Sequence, residues 1–182
     1  MIEPKSLNYI STYEAEGVKL EYKYDLLDKK YAKKEYTKGV KLVALKITNN
    51  SDRDLMFGKD LTLAYKNGTE VFILENEKVF STLKQSAASY LWYLLLTPVN
   101  FYTKKTNSNG FEETTSSTPI GLVLGPGLAG GNMIAAGAAN TKFNSELMDH
   151  NINGVIIKKG ETKHGLIGIK SDSFDALKLK IE

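Results

Sequence analysis

Val40 to Thr48 reads VKLVALKIT, with Lys41, Lys46 and Thr48 as its only polar residues. Branched and aliphatic side chains fall on both parities of this run. An extended chain of that kind needs cover on both faces, so it reads as a central strand. Asn49, Asn50, Ser51 and Asp52 then end it with turn residues. Upstream, within Glu16–Tyr24, Val18, Leu20, Tyr22 and Tyr24 alternate with Lys19, Glu21 and Lys23, the pattern of a half-buried strand. Downstream, Leu61, Leu63 and Tyr65 alternate with Thr62 and Ala64, and Asn67-Gly68 separates them from Val71–Leu74. Asn and Gly both tolerate positive φ, so this spacing predicts a hairpin. Strand patterns resume at Gly154–Lys158, His164–Lys170 and Leu177–Ile181, with Lys159-Gly160 as a turn. About seven short strands, four before a charge-poor middle and three after it, predict a mainly β fold: a two-sheet antiparallel sandwich over residues 16–182 carrying an α insertion, with residues 1–15 as an N-terminal linker.

Charge is partitioned along the chain. A quarter of the residues are charged, yet Lys, Arg, Asp and Glu are absent from Gln85–Thr103 and from Thr114–Thr141. Both runs fall in one insertion, about residues 75–152, expected to be a helical hairpin. Glu75–Lys84, ENEKVFSTLK, turns apolar at Val79, Phe80 and Leu83, the spacing of a helix face. The expected helix continues through Tyr90–Leu96, apolar all round, and stops at Pro98. Its strictly apolar part is roughly half of the ~20 residues that a bilayer requires. Thr103–Thr118, rich in Thr, Ser and Asn, reads as an exposed loop. Pro119–Asn140 holds six of the 15 glycines, and Gly121/Gly125 and Gly127/Gly131 have small-xxx-small spacing. In a solvated helix each glycine costs about 1 kcal/mol relative to Ala and Pro126 about 3 kcal/mol. The segment is therefore expected to be buried against its own sandwich, the Tyr90–Leu96 helix, another copy or lipid. Thr141–His150, TKFNSELMDH, reads as a short amphipathic helix returning to Asn153-Gly154. Tyr90, Trp92, Tyr93, Phe101 and Tyr102 would form an interfacial belt. Together with Gly121, Gly125, Gly127 and Gly131 they are the candidate interaction surface.

Composition limits the chemistry. Without cysteine there are no disulfides, thiolate zinc sites, cysteine nucleophiles or iron–sulfur ligands. Arg53 is the only arginine among 24 basic residues, so bidentate phosphate or guanine readout lacks raw material and nucleic acid is not an expected partner. Asp52 and Asp54 flank Arg53 without the glycine and the bidentate Glu of a calcium loop, and no metal or cofactor is expected. His150 and His164 are the only histidines, and no G-x-S-x-G, H-E-x-x-H or P-loop motif accompanies them. Glu112 and Glu113 stand in a polar stretch with nothing to desolvate them. No catalytic residue is assigned. Asp25–Lys38 carries Lys29, Lys30, Lys33, Lys34 and Lys38 among Tyr31 and Tyr36. It is either a patch for an anionic surface or a solvated loop. Asp25, Asp28 and Glu35 dilute its field, which favours the loop.

Three stretches carry a resemblance. VKLVALKITNNSDRDLMF (Val40–Phe57) resembles the start of small immunoglobulin-like domains in bacterial envelope lipoproteins. IIKKGETKHGLIGI (Ile156–Ile169) is similar to their Gly-Glu-Thr turn before a strand, and GNMIAAGAANTKFNSEL (Gly131–Leu147) resembles a segment of uncharacterised envelope proteins of this kind. The resemblance implies an immunoglobulin-like β-sandwich behind a lipidated N-terminus, with no functional residues to carry over. The chain departs from that pattern in having no lipobox and no Cys, and MIEPKSLNYISTYEAEG has no basic stretch followed by an apolar one. The expected location is the cell envelope, periplasmic or outer-surface, reached through a targeting segment since trimmed; the alternative is cytoplasmic. The expected function is a non-enzymatic interaction or structural module whose apolar insertion meets a membrane surface or an unknown protein partner. The alternatives are a hydrolase-like enzyme using the insertion as a lid, and homo-oligomeric self-assembly through the glycine-rich face.

Overall fold

The computed structural model describes residues 2–86, 100–106 and 112–182. Its principal sheet is antiparallel and built around β3 (Val40–Asn49), which pairs with β2 (Val18–Lys23) on one side and β10 (Thr162–Lys170) on the other. Outside these lie β1 (Ser11–Ala15), next to β2, and β6 (Ile73–Leu74), next to β10, giving the order β1-β2-β3-β10-β6. Two further antiparallel pairs join β5 (Leu61–Tyr65) to β11 (Leu177–Ile181) and β4 (Leu55–Met56) to β9 (Ile156–Ile157). Strands thus occupy every segment marked by alternation and four others.

The central strand is covered on both faces. Val43, Leu45 and Ile47 of β3, with Leu20 of β2 and Ile167 of β10, share a core with Leu61 and Leu63 of β5, Leu177 of β11, Leu55 of β4 and Ile157 of β9. The opposite parity, Val40, Leu42 and Ala44 with Leu166, packs with Tyr31 of α1 (Lys29–Lys38), Val79 and Leu83 of α2 (Asn76–Leu83), and Phe143 and Leu147 of α3 (Ile120–Asp149). Each fully buried aliphatic side chain contributes about 1.5–3 kcal/mol.

The Asn67-Gly68 turn forms as expected. Gly68 has φ +88°, its N–H donates to the Tyr65 carbonyl (2.8 Å), and the Val71 N–H donates to Leu63 (2.9 Å). The second arm then leaves β5: Ile73 and Leu74 pair with Ile169 and Gly168 of β10.

Several local expectations are corrected. Residues 1–15 are not merely a linker: β1 pairs with β2 across a Glu16-Gly17 turn with φ of 50° and 77°, and Ile2 and Pro4 are buried. As an edge strand with Tyr13 as its sole large apolar residue, β1 carries little hydropathy signal. Lys29–Lys38 is a helix rather than a loop, with Asp28 in the N-cap position and Gly39 closing it at φ 59°, its N–H donating to the Glu35 carbonyl. The inward stripe of this helix includes Tyr31 and Glu35, i and i+4, so a carboxylate hides the amphipathic pattern.

Residues 1–84 and 142–182 form one compact unit, and residues 85–141 a second. In the second, the described residues of Thr103–Thr118, expected as a loop, are strand. β7 (Asn100–Thr106) and β8 (Glu112–Pro119) pair as an antiparallel hairpin with a register shift between Thr103 and Lys104. Thr103, Thr106, Thr114, Thr115 and Thr118 are β-branched, and that stiffness favours extended backbone even where the polarity suggests a loop. Pro119–Asn140 and the amphipathic segment after it, expected as separate helices, lie in the single helix α3 but for Pro119 at the end of β8 and His150 just past the helix. The other arm of the expected helical hairpin, Tyr90–Leu96, lies outside the described residues. Asn140 caps the start of this unit: its Oδ1 accepts the Gln85 N–H (2.7 Å) and its Nδ2 donates to the Gln85 carbonyl (2.9 Å). Among the described residues no helix is long and apolar enough to cross a membrane.

Two glycines of β10 let neighbours approach the sheet. A Cβ at Gly165 would lie 2.5 Å from Ile152 Cβ and 2.9 Å from the His150 carbonyl oxygen; one at Gly168 would collide with Val79 of α2. Gly168→Ala is expected to lower the urea midpoint by the equivalent of about 1–3 kcal/mol. Combined with Val79→Ala, the loss should be smaller than the sum of the two single losses, and strict additivity would show that the two do not share this contact.

Candidate functional site

Tyr90, Trp92 and Tyr93 of the expected belt lie outside the described residues. Phe101 and Tyr102 occupy adjacent positions of β7, in register with Thr118 and Ser117, and so belong to opposite faces of the hairpin. Gly121, Gly125, Gly127 and Gly131 all lie on α3. At 3.6 residues per turn the pair Gly121/Gly125 sits about 120° round the helix axis from Gly127/Gly131. The four glycines therefore make two short stripes rather than one seam.

From Gly131 to Thr141 the chain's own residues leave most of the described side chains uncovered. Gly131, Ile134, Ala135, Gly137 and Ala138 are exposed, Ile134 at 76%, and only Ala136 is buried among the described side chains of residues 131–141. An added Cβ at Gly131 or Gly137 meets nothing within 4 Å. Gly131, Ile134, Ala135 and Ala138 follow i, i+3, i+4, i+7 spacing and form an apolar stripe on one side of the helix.

The His164 ring lies 6.3 Å from Tyr9, and burial together with the charges of Lys46 and Lys5 holds its imidazole below the usual range. Glu21 opposes that shift but is itself paired to Lys46 (2.8 Å) and Lys19 (3.6 Å). His150 meets β10 through its backbone carbonyl, which accepts the Leu166 N–H (2.7 Å). Asp54 Oδ1 accepts the Lys159 N–H (2.9 Å), a turn contact. Among the described residues no group of three His, Asp or Glu side chains is placed to hold a metal ion.

The lysine-rich segment instead contributes to a recess. Lys38 ends α1, Lys78 lies in the first turn of α2 and Lys170 ends β10; these three border a groove of about 410 Å³. Val40, Leu74 and Phe72 supply its apolar lining, with Phe72 67% exposed, and Thr82 lies one turn further along α2. Backbone bonds fix the rim: the Lys170 N–H donates to Phe72 (3.2 Å) and the Ser171 N–H to Gly39 (3.0 Å). Among the described residues none of the three ammonium groups enters an ion pair. Cations crowd nearby: the Lys34 ammonium donates to the Lys84 carbonyl, and partial burial followed by the charges of Lys38 and Lys84 holds it below the usual lysine range. The Asp172 carboxylate lies over Gly39, beside Lys38, where a Cβ would sit 2.5 Å from its Oδ1. Sequence reasoning found Lys38 but missed this groove, because Lys78 and Lys170 come from distant segments.

Two buried charges position α1 and the start of β3. Glu35, 3% exposed, accepts the Leu42 N–H at 2.7 Å. Burial pushes its carboxyl above the usual range, while that hydrogen bond and Lys41 oppose the shift. Lys41, 2% exposed, places its ammonium 4.1 Å from the Phe174 ring centroid and 6.0 Å from that of Tyr36, a cation–π arrangement.

No family model matches the chain, and no curated protein or solved structure does.

The raised Glu35 carboxyl has a pH signature. The unfolded chain releases this proton near the ordinary glutamate value of about 4.3, the folded chain only at higher pH. Stability associated with the neutral form is therefore present at low pH and lost as pH rises through the folded value. Gln keeps an acceptor for Leu42 and cannot ionise. The stability of Glu35→Gln relative to the parent, from urea unfolding, is expected to increase from about pH 4 to pH 7. A difference constant across that range would contradict the shift.

Proposed function

We propose that the chain is a non-enzymatic module of the bacterial cell envelope, an immunoglobulin-like antiparallel β-sandwich whose apolar insertion contacts a membrane surface or a partner protein. The shared core of β2, β3 and β10 with β5, β11, β4 and β9 supports a sandwich, as does the passage of the chain from β5 into β6 on the other sheet. The resemblance of Val40–Phe57 and Ile156–Ile169 to envelope domains supports the location. One observation carries the contact role: Ile134 stands 76% exposed among Gly131, Ala135 and Ala138 on α3. A large aliphatic side chain among small residues on a regular helix suits a flat apolar boundary.

A second copy is the other reading that this stripe favours, since i, i+3, i+4, i+7 spacing is also that of a helix–helix seam. Liposome flotation at low salt, with light scattering in parallel, separates the two. The parent is expected to float with vesicles, and Ile134→Lys to remain at the bottom with unchanged thermal stability, as an exposed substitution should. A dimer mass that Ile134→Lys reduces to a monomer would transfer the stripe to self-association. A monomeric parent that does not float and whose Trp92 emission does not change would overturn both.

A further inference from the structure

We propose that the groove bordered by Lys38, Lys78 and Lys170 binds an anionic amphiphile, a phosphate monoester or diester head joined to a short apolar segment. Charge supplies the first half of the case. Three lysines, from α1, α2 and β10, line one recess, and none enters an ion pair among the described residues. Lys34 feels the charges of Lys38 and Lys84, and the Asp172 carboxylate lies over Gly39. Lysines act as point charges without the planar fork of arginine, so they accept a phosphate in many orientations.

The lining supplies the other half. Val40, Leu74 and the exposed Phe72 face the same recess, and the Thr82 hydroxyl adds a hydrogen-bonding group. A volume of about 410 Å³ lies within the range of about 300–1,000 Å³ occupied by small-ligand sites. Exposed lysines alone hold a hydrated anion weakly, because salt screens them. A ligand that also covers Phe72 and Leu74 gains from apolar burial, so discrimination should depend on the tail as well as the head. The groove uses residues other than the α3 stripe, and its test is independent of that reading.

The experiment titrates octyl phosphate, below its micellar concentration, and inorganic phosphate into the full chain, following backbone amide resonances. Octyl phosphate is expected to bind at least about tenfold more tightly than inorganic phosphate, with shifts confined to residues around Val40, Phe72, Lys78 and Lys170. Lys78→Ala combined with Lys170→Ala should weaken octyl phosphate binding by about tenfold or more. The distant pair Lys158→Ala and Lys159→Ala should leave it unchanged. Phe72→Ala should erase the preference for octyl over inorganic phosphate. Equal affinity for the two probes, equal effects of the two lysine pairs, or no saturable shift would overturn the proposal.

Vesicles of phosphatidylcholine with and without phosphatidic acid identify the source of the head group, using Ile134→Lys so that the α3 stripe does not contribute. Recruitment that needs phosphatidic acid, Lys78 and Lys170 assigns a membrane lipid. Octyl phosphate binding without recruitment assigns a free ligand.

Discussion

The structure depends on β3 being buried on both faces. Val43, Leu45 and Ile47 commit one side to the short strand pairs, and Val40, Leu42 and Ala44 commit the other to three helices. An antiparallel strand with one wet face needs only one covering layer; this strand needs two. Its neighbour β10 answers the same demand with Gly165 and Gly168, which clear space on opposite faces for Ile152 and for Val79. Glu35 belongs to the same constraint. Its carboxyl satisfies the Leu42 N–H at 2.7 Å while α1 lies against the sheet, so a polar group is accepted in a buried position because it has a partner there.

The surfaces with functional potential arise where this layered unit ends. Gly39 is the one residue between α1 and β3, and its left-handed conformation turns the chain off the helix after Lys38, just before Val40 enters the sheet. Lys170 leaves the same end of β10, in register with Val40, and α2 presents Lys78. The groove thus follows from helix and strand termini held by β3. The apolar stripe of α3 has a different origin: it lies before the buried Phe143 and Leu147 of the same helix, where the residues around the exposed Ile134 are small.

Strand periodicity was legible wherever one parity of side chains was apolar, as in β2, β5 and β11, and β3 announced its double cover by being apolar on both. Elements whose inward residues are few or polar were not legible. Tyr31 with Glu35 does not read as an amphipathic helix, and Tyr13 alone does not mark an edge strand. β8 was misread because Thr and Ser are common to turns and to strands, and their pairing with β7 is a non-local fact. The cost of glycine and Pro126 suggested burial for α3, but propensity gives the price of forming a helix in isolation and does not say which side chains will be covered. The lysine groove joins residues 38, 78 and 170, so only one of its three lysines lay in the segment that stood out in the sequence.

Native-state hydrogen exchange, measured with increasing urea, tests the role of β3 most directly. Amides of Leu42–Ile47 are expected to be the slowest of the described residues, opening only with global unfolding, while α1, α2, β5 and β11 open at equal or lower free energy. Amides of any of those four elements outlasting the protection of β3 would contradict the account.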